Sequence, residues 1–111
     1  ARAGALIVLP DSFFQEQAQR IVDFAAKQRL PTMFSTSQTV ESGALMSYGQ
    51  NDLEHYYRAA TFVDKILKGA KPGNLPVEQP MKFELVINMK TAKTLGLTMR
   101  DLLFRADKVI Q

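Results

Sequence analysis

The chain contains no cysteine, which excludes thiol nucleophiles, thiolate metal sites and disulfides, and fits an oxidising compartment. Tryptophan is also missing, and His55 is the only histidine available for acid–base or metal chemistry. A hydrolase triad would require His55 to be oriented by Asp11 and paired with a serine, yet no Gly-x-Ser-x-Gly elbow is present. One histidine and scattered carboxylates give no metal-ligand spacing, so no metal is expected. The glycines never gather into the phosphate or dinucleotide patterns, so no nucleotide cofactor is expected either. No apolar run approaches the roughly 18 residues that a membrane span requires. Charge of one sign is not concentrated: 14 Lys and Arg are interspersed with 11 Asp and Glu for a net +3, which argues against a nucleic-acid partner. Internal repeats and low-complexity segments are absent.

At 111 residues the chain can bury one core, and it is read as one domain or part of one. Its opening, Ala1-Arg2-Ala3-Gly4, enters an apolar strand almost at once, which suggests a piece of something longer. Ala5 to Leu9 has the unbroken apolar character of a strand buried on both faces of a parallel sheet. Ser12 with Gln15 has capping-box spacing, and Phe14, Ala18, Ile21, Val22 and Ala25 then recur at helical intervals until Pro31. Pro31 to Phe34 is the natural second strand. A polar run, Ser35 to Thr39, leads into a helical turn or two that Gly43 stops, and Ala44 to Tyr48 forms a third strand.

The clearest helix runs from about Asp52 to Lys68. Leu53, Tyr57, Ala60, Val63 and Leu67 make its apolar stripe, Asn51 caps it, and Glu54–Arg58 and Asp64–Lys68 are favourable pairs four apart. By spacing, one member of the Tyr56-Tyr57 pair faces a core, so packing accounts for these rings better than base stacking. His55 lies one position off the stripe and is read as a solvated or half-buried helix residue. Pro72, Pro76 and Pro80 stiffen the following connector into a crossover strap. Phe83 to Asn88 is a fourth strand, Thr91 to Leu95 a short helix stopped by Gly96, and Thr98 with Asp101 starts a final helix carrying Leu102, Leu103, Ala106 and Val109 inward. Met33, Met46, Met81, Met89 and Met99 are dispersed as core or edge filler.

This order of elements predicts an α/β domain with about four parallel strands and flanking helices. In such sheets ligands bind beyond the carboxyl ends of the strands. Three such ends are legible: Pro10-Asp11-Ser12, Ser35-Thr36-Ser37-Gln38 and Tyr48-Gly49-Gln50. Their small polar groups suit a polar ligand, with Phe13 or Tyr48 as an apolar wall. The competing reading is that Ser12, Thr36 and Ser37 only cap helices.

The strings Leu45-Met46-Ser47-Tyr48-Gly49, Tyr57-Arg58-Ala59-Ala60, Val63 to Pro72, Leu75 to Pro80 and Lys82 to Asn88 resemble the C-terminal part of ABC-transporter substrate-binding proteins. More narrowly, they resemble the bacterial branch whose better-known relatives are associated with aromatic amino acid uptake. The resemblance implies a type I periplasmic binding protein, with two Rossmann-like α/β lobes, a hinge and a ligand clamped between the lobes. Residues 1–111 would then be mainly the C-terminal lobe, with the N-terminal lobe absent and the long and final helices packed against it. By position, the ligand-facing residues of the family fall on Asp11, Ser12, Ser35, Thr36, Ser37 and Tyr48. Catalytic residues are not expected. The implied partners are a small, amino acid-like molecule and a membrane permease, in a periplasmic or lipid-anchored extracytoplasmic setting. A chain lacking one lobe is also expected to self-associate through its uncovered apolar surface. The alternative is the ligand-sensing core of a transcriptional regulator with the same fold. At Met99-Arg100-Asp101 the chain departs from the proline that the branch often carries after Leu97-Thr98.

Overall fold

The computed structural model describes residues 2–111, so Ala1 and its place at the chain start lie outside the described residues. Strands β1 (Leu6–Ile7), β2 (Thr32–Phe34), β3 (Met46–Gln50), β4 (Phe83–Asn88) and β5 (Lys108–Ile110) form one sheet in chain order. Around it lie α1 (Ser12–Glu16), α2 (Ala18–Lys27), α3 (Ser37–Glu41), α4 (Asp52–Leu67), α5 (Met89–Leu95) and α6 (Arg100–Leu103). The β1–β2, β2–β3 and β4–β5 pairs are parallel, while β3 and β4 run antiparallel in a five-residue register from Met46↔Ile87 to Gln50↔Phe83. The α/β class and mostly parallel sheet follow the expectation. The antiparallel step and the fifth strand do not.

Pleating sorts the core. Phe34 points to the face covered by α2, where it packs with Val22 and Ala44 and with half-buried Val8, Ala18 and Ile21. Ile87 points to the other face, in a second cluster with Leu45, Ala92 and Met99 around α5 and α6. α3 seals the first face across β3 and β4, with Val40 wholly buried. Buried polar groups are paired: Thr32 Oγ1 accepts from Leu45 N at 3.0 Å, and Asn88 donates through Nδ2 to the Val40 carbonyl at 3.0 Å. Asn88 Oδ1 also accepts from Thr91 N at 3.1 Å, so one side chain caps α5 and fastens α3. No buried side-chain polar atom among the described residues lacks a partner, as burial in a low dielectric demands.

Local expectations are corrected in five places. β1 is an edge strand, not one buried on both faces: Ile7 and Leu9 are 69% and 68% exposed. The first helix breaks at Gln17 into α1 and α2, and its cap is Asp11, whose Oδ1 accepts from Phe13 N at 2.8 Å, not Ser12. The final helix stops at Leu103, and Val109 belongs to β5, because Asp107 pins the chain to β4. Its Oδ2 accepts from Leu85 N at 2.8 Å, and its N–H donates to the Leu85 carbonyl at 2.9 Å. Arg58 pairs with Glu78 of the strap, not Glu54, although Asp64–Lys68 forms at 3.0 Å. Finally, the α4 stripe is uncovered: Leu53, Tyr57 and Leu67 are 79%, 78% and 81% exposed, and neither tyrosine faces a core.

α4 is packed on a different face. His55, Ala59 and Phe62 turn toward strap residues Pro80 and Met81 across a cleft of about 450 Å³. α4 makes no substantial contact with any strand and contributes no buried residue. The molecule is therefore extended, 56 × 31 × 22 Å with a radius of gyration of 17.5 Å. A compact chain of this length would have a radius of about 13 Å. The accessible surface of 8551 Å² likewise exceeds the roughly 6,100 Å² of a compact monomer of this mass.

Gly49 fixes the approach of β3 to the end of β2. A Cβ there would lie 1.9 Å from the Ser35 carbonyl oxygen. Urea denaturation should show Gly49→Ala destabilised by about 3 kcal/mol, because the strands must part to admit the methyl group. Gly73→Ala, with nothing near its built Cβ, should stay within about 0.5 kcal/mol of the parent chain.

Candidate functional site

Because β1, β2 and β3 are parallel, their carboxyl ends open on one edge of the sheet. β3 runs past β2: Phe34 is paired with Ser47, and Tyr48, Gly49 and Gln50 continue beyond. The loops after the three strands therefore share that edge, and all six candidate residues are found there. They differ in what each side chain does. Asp11 is exposed and caps α1. Ser12, the first residue of α1, is exposed and is not the cap. Ser35 is half-buried, with its carbonyl held against Gly49. Thr36 occupies the N-cap position of α3 but makes no capping bond through its side chain; its carbonyl accepts from Thr39 Oγ1 at 2.7 Å. Ser37 begins α3 and is exposed. Helix capping thus accounts for Asp11, while leaving Ser12 and the Thr36 side chain without that duty.

Thr36 lines a depression of about 200 Å³ with Gln15, Gln38, Thr39 and Asp52. Gln15 and Asp52 were not legible as neighbours of the edge, since each lies on the wet side of its own helix and only the fold brings them beside Thr36. Tyr48 is half exposed and stacks on Phe83 of β4, with ring centroids 5.5 Å apart and planes 21° from parallel. The antiparallel register explains the contact: Tyr48 is opposite Leu85, and Phe83 is the diagonal neighbour on the same face. Phe83 escaped the sequence reading because a parallel β4 would have put its first residue at the far end of the sheet.

Asn51 follows directly. Its Oδ1 accepts from Glu54 N at 3.2 Å, capping α4, while its Nδ2 donates to Glu84 Oε1 at 3.0 Å. Acidic Asp52 and Glu54 in the first turn suit the positive end of the helix dipole. No group of three or more potential metal ligands occurs among the described residues. No helix of the described residues is long and apolar enough to cross a membrane.

A mostly parallel sheet presenting three polar strand-end loops at one edge is the build of a ligand-binding α/β lobe. Residues 2–110 match the family described as ABC transporter substrate binding protein, and the chain belongs to that family. Its fold is that of a periplasmic binding protein lobe. The chain is 28% identical to the L-Trp complex of an ABC domain from Streptococcus pneumonia, with a TM-score of 0.89 over 98% of this chain and 37% of that one. A conserved domain protein from Vibrio cholerae gives 28% identity and a TM-score of 0.88, over 96% and 36% of the two chains. A ligand-free, open substrate binding protein with adhesive properties from Clostridium difficile gives 26% identity and a TM-score of 0.60, over 85% and 32%. The chain therefore spans about a third of the length of these solved structures. A search of curated proteins returns no match.

The capping role of Asp11 is separable from its charge. Asp11→Ala should lose about 1 kcal/mol in a denaturant titration, whereas Asp11→Asn, which can still accept from Phe13 N, should lose a few tenths at most.

Proposed function

We propose that this chain is part of a non-enzymatic solute-capture protein of an ABC uptake system. It would hold a small, amino acid-like molecule against Asp11, Ser12, Ser35, Thr36, Ser37 and Tyr48 and deliver it to a membrane permease. The observation that carries the reading is the convergence of three polar strand-end loops on one edge in a member of a substrate-binding family. Asp11 supplies an anionic acceptor for an ammonium group, the serine and threonine hydroxyls supply donors and acceptors, and the Tyr48 ring supplies an apolar wall. Aromatic amino acids are the first class to test, because the Streptococcus relative was solved with L-Trp. The setting would be periplasmic or otherwise extracytoplasmic, where such proteins work.

In this reading residues 1–111 are chiefly the C-terminal lobe of a two-lobed protein, and α4 reaches across to the other lobe. Two features support it: the relatives are nearly three times as long, and α4 leaves Leu53, Tyr56 and Leu67 at least 75% exposed while standing clear of the sheet. Ligand capture then follows from geometry. A molecule touching both lobes favours the closed arrangement, because only that arrangement makes both sets of contacts. Family membership favours capture over the regulator alternative, whose lobes carry an upstream DNA-binding segment.

A thermal-shift screen of the protein expressed from its natural reading frame should find an amino acid that raises the melting temperature, with L-tryptophan, L-tyrosine and L-phenylalanine tested first. Asp11→Asn should weaken that ligand by about tenfold with the melting temperature of the free protein unchanged. A panel of amino acids, purines and small carboxylates that leaves the melting temperature unmoved would contradict the reading. Residues 1–111 alone should bind none of them and should self-associate at high concentration through the bare α4 face. A strictly monomeric light-scattering signal would count against that uncovered interface.

A further inference from the structure

We propose that Tyr48, Phe83, Asn51 and Glu84 form a clamp that couples the two connections to α4, so that the helix and the sheet pivot on one joint instead of two independent tethers. The inference rests on the two-lobed reading above and adds the residues that would set the resting angle.

Chain continuity crosses between the sheet and the α4 unit twice. It leaves at Gln50–Asn51, where β3 ends and α4 begins, and returns at Met81–Lys82, just before β4. Neither crossing is braced by packing of α4 on a strand. What spans them is the antiparallel end of β3 and β4, where Gln50 is paired with Phe83 and Gly49 with Glu84. Two side-chain contacts sit at that end. On one face the Tyr48 ring stacks on the Phe83 ring at 5.5 Å. At the crossing itself, Asn51 Nδ2 donates to Glu84 Oε1 at 3.0 Å, and the same Asn51 caps α4 through its Oδ1. A rotation of α4 that pulls on Asn51 is thereby passed to β4 through Glu84, and the stack resists separation of the two strands. A second tie lies on the far side of the joint, where Arg58 of α4 pairs with Glu78 of the strap, so the returning segment travels with the helix.

The arrangement has a consequence for capture. Two loose tethers would let the lobes sample many relative orientations, and ordering them would oppose ligand binding. One coupled joint restricts the motion to a hinge whose closed end brings the α4 side over the strand-end loops. Phe83 is then a positioning residue, which acts on the ligand through Tyr48 and the angle of the joint, while Tyr48 both walls the ligand and carries the stack.

Residues 1–111 carry no cysteine, so within them spin labels attach only where cysteine is introduced, and any cysteine elsewhere in the longer protein is first replaced by serine. Thr61→Cys on the exposed polar side of α4 and Lys93→Cys on exposed α5 report the distance across the joint in the protein expressed from its natural reading frame. Phe83→Leu keeps an apolar side chain but removes the ring, and Asn51→Ala/Phe83→Leu removes both contacts. With the melting temperature lowered by only a few degrees, the double variant should broaden the distance distribution about twofold, and Phe83→Leu should broaden it less. Phe83→Tyr, which keeps a ring for stacking, should restore the parent distribution. A reference protein with Gly-Gly inserted after both Gln50 and Met81 separates the two possible failures. If the insertions broaden the distribution and the clamp variants do not, the clamp is wrong and the two-lobed reading stands. If the insertions also leave it unchanged, α4 and the sheet are one body, and both fall.

Discussion

The antiparallel pairing of β3 with β4 is the contact on which the rest of the molecule depends. It joins the parallel β1–β2–β3 half to β4 and β5, brings Ile87 into the cluster with Leu45, Ala92 and Met99, and turns the chain between the paired strands outward as α4 and its strap. A parallel β4 would have required the connection to return across the sheet and cover it. With an antiparallel β4 the connection need only leave and come back at the same edge. That edge is also where the strand-end loops lie, so the joint and the candidate ligand surface occupy one end of the molecule.

Two opposite demands meet there. In the proposed reading the surface is polar and open for a ligand, yet the strands carrying it are held rigidly. Fixing is done by backbone and small residues: Gly49 admits the Ser35 carbonyl, and Asp11 and Asn51 tie down helix starts. Further from the edge, Asn88, Thr32 and Thr91 join the layers through buried or half-buried hydrogen bonds, and no buried polar side-chain atom among the described residues is left unpaired. This division leaves the Ser12 and Thr36 side chains free of capping work.

Much of the fold was legible because local signals agreed with tertiary demands. Asn51 and Gly69 bound α4 as their chemistry dictates, Phe83 to Asn88 is the fourth strand to the residue, and Gly43 and Gly96 stop their helices at positive φ. The losses have physical causes. Periodicity identifies an apolar face but cannot say what covers it, so one of Tyr56 and Tyr57 reads as facing a core although nothing among the described residues buries either. Three-residue β5 is too short for an alternating pattern to show, and its position is set by Asp107 bonding to Leu85, a contact 22 residues apart. Strand direction leaves no trace in the composition of β4, so Phe83 could not be placed beside Tyr48. The six edge residues were found because a parallel β1–β2–β3 order alone puts their loops together.

The central claim is that this edge receives a small solute. A crystal structure of the protein expressed from its natural reading frame, grown with the compound that most stabilises it, tests the claim most directly. The account predicts electron density for that compound against Asp11, Ser12, the Ser35–Ser37 loop and Tyr48, with α4 on the far side of the joint. Density seated elsewhere, with these loops bare and facing solvent, would contradict it.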